Sequence, residues 1–200
     1  MIIVTGSCRT GTSMMMQTLK LLGVPVEGEK FHADFPVEEG NPKGYYDLPF
    51  EILQKGLGDE YEGKAVKLLG EWLPYTDPVI ATHMIICKRR DGGAADRSTI
   101  KLLKQEQVVE TDSDIRKTLL EICAMLSPQQ ITQRRWANYN LIEGYLEHYT
   151  GYTIDVYFED MIYHPEETIK EVQEFLHLDG DIQAAVDNIG ISKEVDTSMM

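Results

Sequence analysis

The chain has 200 residues, 42% of them hydrophobic, enough for one domain with a proper core. Its formal net charge of −14 argues against nucleic acid, polyanionic glycans and anionic membranes as partners, because each is repelled as it comes within about a Debye length. Apolar runs fall far short of the ~20 residues that a membrane span needs, and the chain starts directly on an apolar strand, so the expectation is a cytoplasmic protein with no signal peptide.

Residues 2–5 read as a β-branched strand and residues 13–22 as a helix, with Met14, Met15, Leu19 and Leu22 facing a sheet and Gly23 as the stop. Between them lies Gly6-Ser7-Cys8-Arg9-Thr10-Gly11-Thr12-Ser13. Gly6 and Gly11 permit a tight turn that brings backbone N–H groups against an anion, and the helix start points its positive dipole end into the same space. The glycine spacing matches a Walker A loop, but Thr12 stands where the lysine belongs. A loop without that lysine is poorly equipped for the γ-phosphate of ATP, and Arg9 offers a cation at a different angle. Cys8 reads as a small neutral filler. Cys87 and Cys123 lie far from it in the chain, against both a disulfide framework and a zinc site.

Residues 29–46 are irregular and rich in Pro, Gly and acids; a long loop with aromatics beside a phosphate site reads as a lid, an acceptor-pocket wall or a solvated turn. Residues 48–56 suggest a short helix, 65–69 a buried strand, 84–88 another strand and 94–105 a helix. Thr111-Asp112-Ser113-Asp114 caps a helix over 111–126. Pro128 opens a helix to about residue 148, in which Arg134, Arg135 and Trp136 either approach the site or read as an exposed basic turn with a packed Trp. Residues 153–158 form the last strand. In the helix over 165–177, Ile169, Val172, Phe175 and Leu176 share one apolar face. Strands separated by helices demand a parallel sheet. The expected fold class is α/β: three layers, a mostly parallel sheet flanked by helices in the manner of P-loop folds. One domain spans 1–190, followed by a loose tail over 191–200.

The loop Gly6-x-x-Arg9-x-Gly11-Thr12-Ser13 after an N-terminal strand resembles the 5′-phosphosulfate loop of the sulfotransferases, which use 3′-phosphoadenosine 5′-phosphosulfate as donor. Arg90, at the end of the third strand, and Ser98, eight positions later, resemble that family's grip on the 3′-phosphate. A guanidinium fork and a serine hydroxyl suit a phosphate chemically. Gly92 departs from the proline usual two residues after the arginine. Tyr157-Phe158-Glu159-Asp160-Met161, His164-Pro165-Glu166-Glu167 and Phe175-Leu176-His177-Leu178 resemble the family's late strand and helix, and Asn41-Pro42-Lys43-Gly44-Tyr45-Tyr46-Asp47 resembles a loop of bacterial members. Matching segments run from residue 1 to about 178, with 107–150 alike only in helical character.

The resemblance implies a soluble, bacterial-type sulfotransferase whose product is adenosine 3′,5′-bisphosphate. Gly6, Ser7, Cys8, Arg9, Thr10, Gly11, Thr12 and Ser13 then hold the 5′-phosphate end, and Arg90 and Ser98 the 3′-phosphate. Arg9 neutralises the transferred group, Lys67 contacts the sulfuryl or bridging oxygen, and no metal is needed. The acceptor is a small molecule, neutral or cationic, because the acidic protein steers anions away. The histidine that the family carries after its strand lysine is replaced by Leu68-Leu69. Candidate bases are Asp47, His32, Glu39 and Glu71; Thr82-His83 imitates the family motif, but at the wrong end of a strand. Two other classes stay open: a P-loop small-molecule kinase or phosphotransferase using ATP–Mg, and a nucleotide-binding module without turnover.

Overall fold

Strands β1 (Ile2–Gly6), β2 (Ala65–Leu69), β3 (His83–Lys88) and β4 (Tyr152–Tyr157) form one sheet in a computed structural model that describes residues 1–28, 44–106 and 126–197. His32, Glu39, Cys123, residues 29–43 of the irregular stretch and residues 111–125 of an expected helix lie outside the described residues. All pairings are parallel and the order is β2-β1-β3-β4. Neighbouring residues Ile3 and Val4, Ala65 and Val66, and Met84 and Ile85 are all fully buried. These strands are apolar on both faces, as a parallel sheet covered on both sides requires.

Helices α1 (Thr12–Leu21), α2 (Phe50–Lys55), α3 (Gly92–Glu106), α4 (Pro128–Leu146), α5 (Phe158–Tyr163), α6 (Pro165–Leu176) and α7 (Ile182–Thr197) supply the cover. On one face Met15, Met16 and Leu19 of α1 join Met161, Ile169, Val172 and Ile189. On the other, Leu53, Leu73, Ile142 and Tyr145 pack under α2, the 3₁₀ turn Gly70–Tyr75 and α4. The stripe expected on the helix over 165–177 is core, with Ile169 and Val172 at 0% exposure. Ser127 and Gln130 form a capping box ahead of Pro128, which fixes the start of α4.

Several boundaries differ from expectation. The Asp91 carboxylate accepts from the Ala94 amide at 2.9 Å, a cap that starts α3 two residues early and puts Ser98 in its second turn. Strand β4 ends at Tyr157, because Glu159 and Asp160 fall in the first turn of α5, where the helix dipole favours them. The tail expected over 191–200 is helical as far as Thr197; no proline follows residue 181 to stop α7.

Register sets where chemistry can occur. Gly6 pairs with Leu69 and with Cys87, and Lys88 pairs with Tyr157, so the four strands end at one level. The loop after Gly6, the Gly70–Tyr75 turn, Arg89-Arg90 and Phe158-Glu159-Asp160 therefore share the carboxyl edge of the sheet, where open α/β sheets bind ligands.

Candidate functional site

The loop after β1 is built around closeness. A Cβ on Gly6 would lie 2.5 Å from the Cys87 carbonyl oxygen and 2.5 Å from Thr10 Oγ1, and Thr10 Oγ1 donates to the Ser7 carbonyl at 2.8 Å. Gly11 takes φ 95° as the N-cap of α1, which has no side-chain cap and no acid in its first turn. Among the described residues, its leading N–H groups thus receive no side-chain cap, and the positive dipole end of the helix faces the loop.

A lysine from the next strand reaches this helix start. Lys67, with a side chain only 4% exposed, puts Nζ 2.7 Å from Asp47 Oδ1 and 3.3 Å from Ser13 Oγ, and donates to the Tyr45 carbonyl. Ser13 Oγ also donates to that carbonyl, at 3.1 Å. A parallel bridge between Asp47 and Lys67 holds the pair in register. Three residues singled out from sequence, Ser13, Asp47 and Lys67, therefore meet, and the ammonium sits beside the helix whose own loop lacks a lysine.

The arginines lie on the other flank. Arg9, at φ 63°, donates from Nε to Ser98 Oγ at 2.8 Å. The Arg89 guanidinium lies 4.3 Å from the Phe158 ring centroid and donates to the Arg9 carbonyl at 3.4 Å. Arg90 forks onto both Asp160 oxygens at 2.5 and 2.8 Å above the Tyr157 ring, and Glu159 accepts from the Arg90 and Asp91 amides. Arg90 and Ser98, paired in the sequence reading, thus take separate partners, Asp160 and Arg9. Arg90 holds the Asp160 carboxyl below the usual aspartate range, so this ion pair persists above that range and is lost as pH falls through the lowered value. Tyr157, Phe158, Glu159 and Asp160 thus all brace the arginines. Their signal was the parallel alignment of a strand ending in Arg-Arg with one ending in Glu-Asp.

Two readings are corrected by position. His83 begins β3, about 13 Å from the Cys87 level at ~3.3 Å per residue, and its ring packs edge-on against Phe175 and beside Tyr152. Burial lowers its pKa; it is a packed ring at the far edge of the sheet. On α4, Arg135 is the half-buried residue and Trp136 the exposed one, at 57%. Arg135 lies one turn from the buried Ile131 and Asn138, whereas Trp136 is rotated about 100° away. Arg135 Nε bonds Asp96 Oδ1 at 2.9 Å, with both side chains nearly buried, and Thr132 Oγ1 donates to Asp96 Oδ2 at 2.7 Å. Arg134 forks onto Glu71, Nη2 donating to Oε1 at 2.9 Å and Nε to Oε2 at 3.3 Å.

These α4 pairs border a cleft of about 200 Å³ whose wall includes Ser7, Cys8, Glu71, Thr99 and Asn138. Burial pushes the Cys8 thiol up, with Arg9 pulling partly back, and pushes Cys87 up to about 12. Both stay neutral thiols at pH 7, which leaves Cys8 as filler. Among the described residues no group of His, Cys, Asp and Glu could hold a metal ion, and no helix is long and apolar enough to cross a membrane. No protein-family model matches the chain, and no curated protein matches it.

Proposed function

We propose that this protein is a cytoplasmic sulfotransferase that moves a sulfuryl group from 3′-phosphoadenosine 5′-phosphosulfate to a small acceptor. The observation that carries the reading is the 2.8 Å bond from Arg9 Nε to Ser98 Oγ. It joins two motifs 89 positions apart that a single adenylate bearing phosphates at both ends needs side by side. The residues fit such a donor, since a cradle that any Cβ on Gly6 would fill opens onto an uncapped helix start flanked by cations.

The donor supplies an activated sulfuryl group on its 5′-phosphate. The amides of residues 10–13 and the Thr12 and Ser13 hydroxyls hold that phosphate. Lys67 and Arg9 neutralise charge on the transferred group and the leaving oxygen, the main catalytic demand in a transfer of this kind. Ser98 and Arg90 hold the 3′-phosphate, with the Arg90 fork exchanging Asp160 for phosphate oxygens. A sulfuryl group carries less charge than a γ-phosphate, so these cations suffice without a metal.

One observation favours a phosphotransferase instead: the Lys67 ammonium stands 3.3 Å from Ser13 Oγ, supplying from β2 the cation that the loop lacks. Incubation with radiolabelled sulfuryl donor and an acceptor library separates the two readings. Label is expected to move to an acceptor, and Arg9→Ala is expected to lower kcat/KM about a hundredfold. Transfer from γ-labelled ATP with magnesium, and none from the sulfuryl donor, would shift the function to phosphoryl transfer. Consumption of neither donor would leave a binding module.

A further inference from the structure

We propose that the cleft beside Ser7 and Cys8 receives the acceptor, that this acceptor is an uncharged alcohol or phenol of one-ring size, and that Glu71 takes its hydroxyl proton; the assignment rests on the sulfotransferase reading. The first support is position. Ser7 and Cys8 belong to the loop that cradles the 5′ end of the donor, and they form part of the cleft wall, so a molecule in the cleft lies against the loop.

Charge and size narrow the class. The charged side chains around the cleft pair among themselves, Glu71 with Arg134 and Asp96 with Arg135. An ammonium or carboxylate entering here would give up its hydration without gaining a counter-charge, at high cost. Leu102 and Ile131 supply apolar wall for a hydrocarbon body. A volume of about 200 Å³ lies below the ~300–1,000 Å³ of sites for drug-sized ligands, which fits a single ring.

Asn138 puts a carboxamide on the cleft wall; the residue is 3% exposed, and a hydroxyl can both donate to the carboxamide oxygen and accept from its N–H.

Of the two carboxylates on this wall, Asp96 is 13% exposed and held by both Arg135 and Thr132, whereas Glu71 is 25% exposed. It stands two residues past the end of β2, and the Arg134 fork fixes its orientation. Asp47, paired with the buried Lys67, is not part of the cleft wall. In the transfer, the acceptor oxygen forms a bond to sulfur while the bond from sulfur to the 5′-phosphate oxygen breaks. That electron pair leaves with the bisphosphate, and the hydroxyl proton passes to Glu71.

A size-matched charge series tests this on the full chain: benzyl alcohol, benzylamine and benzoate, titrated by ligand-observed NMR with and without adenosine 3′,5′-bisphosphate. Benzyl alcohol is expected to bind at least tenfold tighter than either ion, and Asn138→Leu is expected to weaken it about tenfold. With labelled donor, Glu71→Gln is expected to lower kcat about a hundredfold, to leave KM and bisphosphate affinity within about twofold, and to remove the acid limb of the pH profile. Tighter binding of either ion overturns the assignment, as does wild-type kcat in Glu71→Gln, and in both cases intact bisphosphate binding leaves the donor reading standing. Failure of the wild-type protein to bind bisphosphate overturns both.

Discussion

Gly6→Ala is expected to abolish adenosine 3′,5′-bisphosphate binding and to lower the melting temperature by roughly 5–10 °C, for a domain of this size at about 2–4 °C per kcal/mol. The added methyl would sit 2.5 Å from the Cys87 carbonyl oxygen and 2.5 Å from Thr10 Oγ1. Cys87 is the residue that β3 pairs with Gly6, so its backbone yields only if the two central strands separate. Thr10 is tied to the Ser7 carbonyl, so relief on that side unwinds the loop. Overpacking against fixed backbone costs about 2–3 kcal/mol. Gly23→Ala is the control. Its φ of 88° strains an alanine, but nothing lies within 4 Å of the new Cβ, so it should cost about 1 kcal/mol with bisphosphate binding intact. Wild-type binding by Gly6→Ala in calorimetry would rule out this loop as the phosphate cradle.

Asp47→Asn is expected to cost about 2–3 kcal/mol in urea denaturation, short of the ~3–5 kcal/mol for breaking a fully buried pair because Asp47 is 35% exposed. The loss comes from Lys67, whose side chain at 4% exposure would keep its charge with only the Ser13 hydroxyl and the Tyr45 carbonyl as partners. The double variant Lys67→Met/Asp47→Asn should regain most of that stability, since no charge is then left stranded, while turnover stays low because the cation at Ser13 is gone. Such a cycle isolates the pair from each residue's other contacts. If the double variant proves less stable than Asp47→Asn alone, the ammonium is held by something other than this carboxylate.

The strands were legible because their chemistry is local. Ile2-Ile3-Val4 and Met84-Ile85-Ile86-Cys87 are short apolar runs, and a parallel sheet buried on both faces needs nothing subtler. The tight turn from β1 into α1 was legible because Gly6 and Gly11 can take the positive φ it uses, and Pro165 with its following acids marked a helix start. The partners of the arginines were not. Arg90 meets Asp160 across 70 positions, and Arg134 meets Glu71 across 63; an ion pair between distant segments leaves no period in the chain and emerges only from strand register. The reversed roles of Arg135 and Trp136 have a similar cause. An aromatic beside an arginine suggests a buried ring, but the phase of α4, set by Ile131, Asn138 and Ile142, turns the arginine inward and gives it Asp96. Asp47, a candidate base by its place in the chain, stands beside Lys67 because a parallel bridge aligns the two.

The most direct measurement is calorimetric titration of the intact protein with adenosine 3′,5′-bisphosphate beside ATP–magnesium, repeated on Arg90→Ala and Ser98→Ala. Bisphosphate is expected to bind without magnesium and more tightly than ATP. Arg90→Ala should weaken it about 10–100-fold, the scale of a lost charged hydrogen bond at ~1.5–3 kcal/mol, and Ser98→Ala by a smaller factor. A preference for ATP–magnesium, or bisphosphate binding indifferent to Arg90→Ala, would contradict the account.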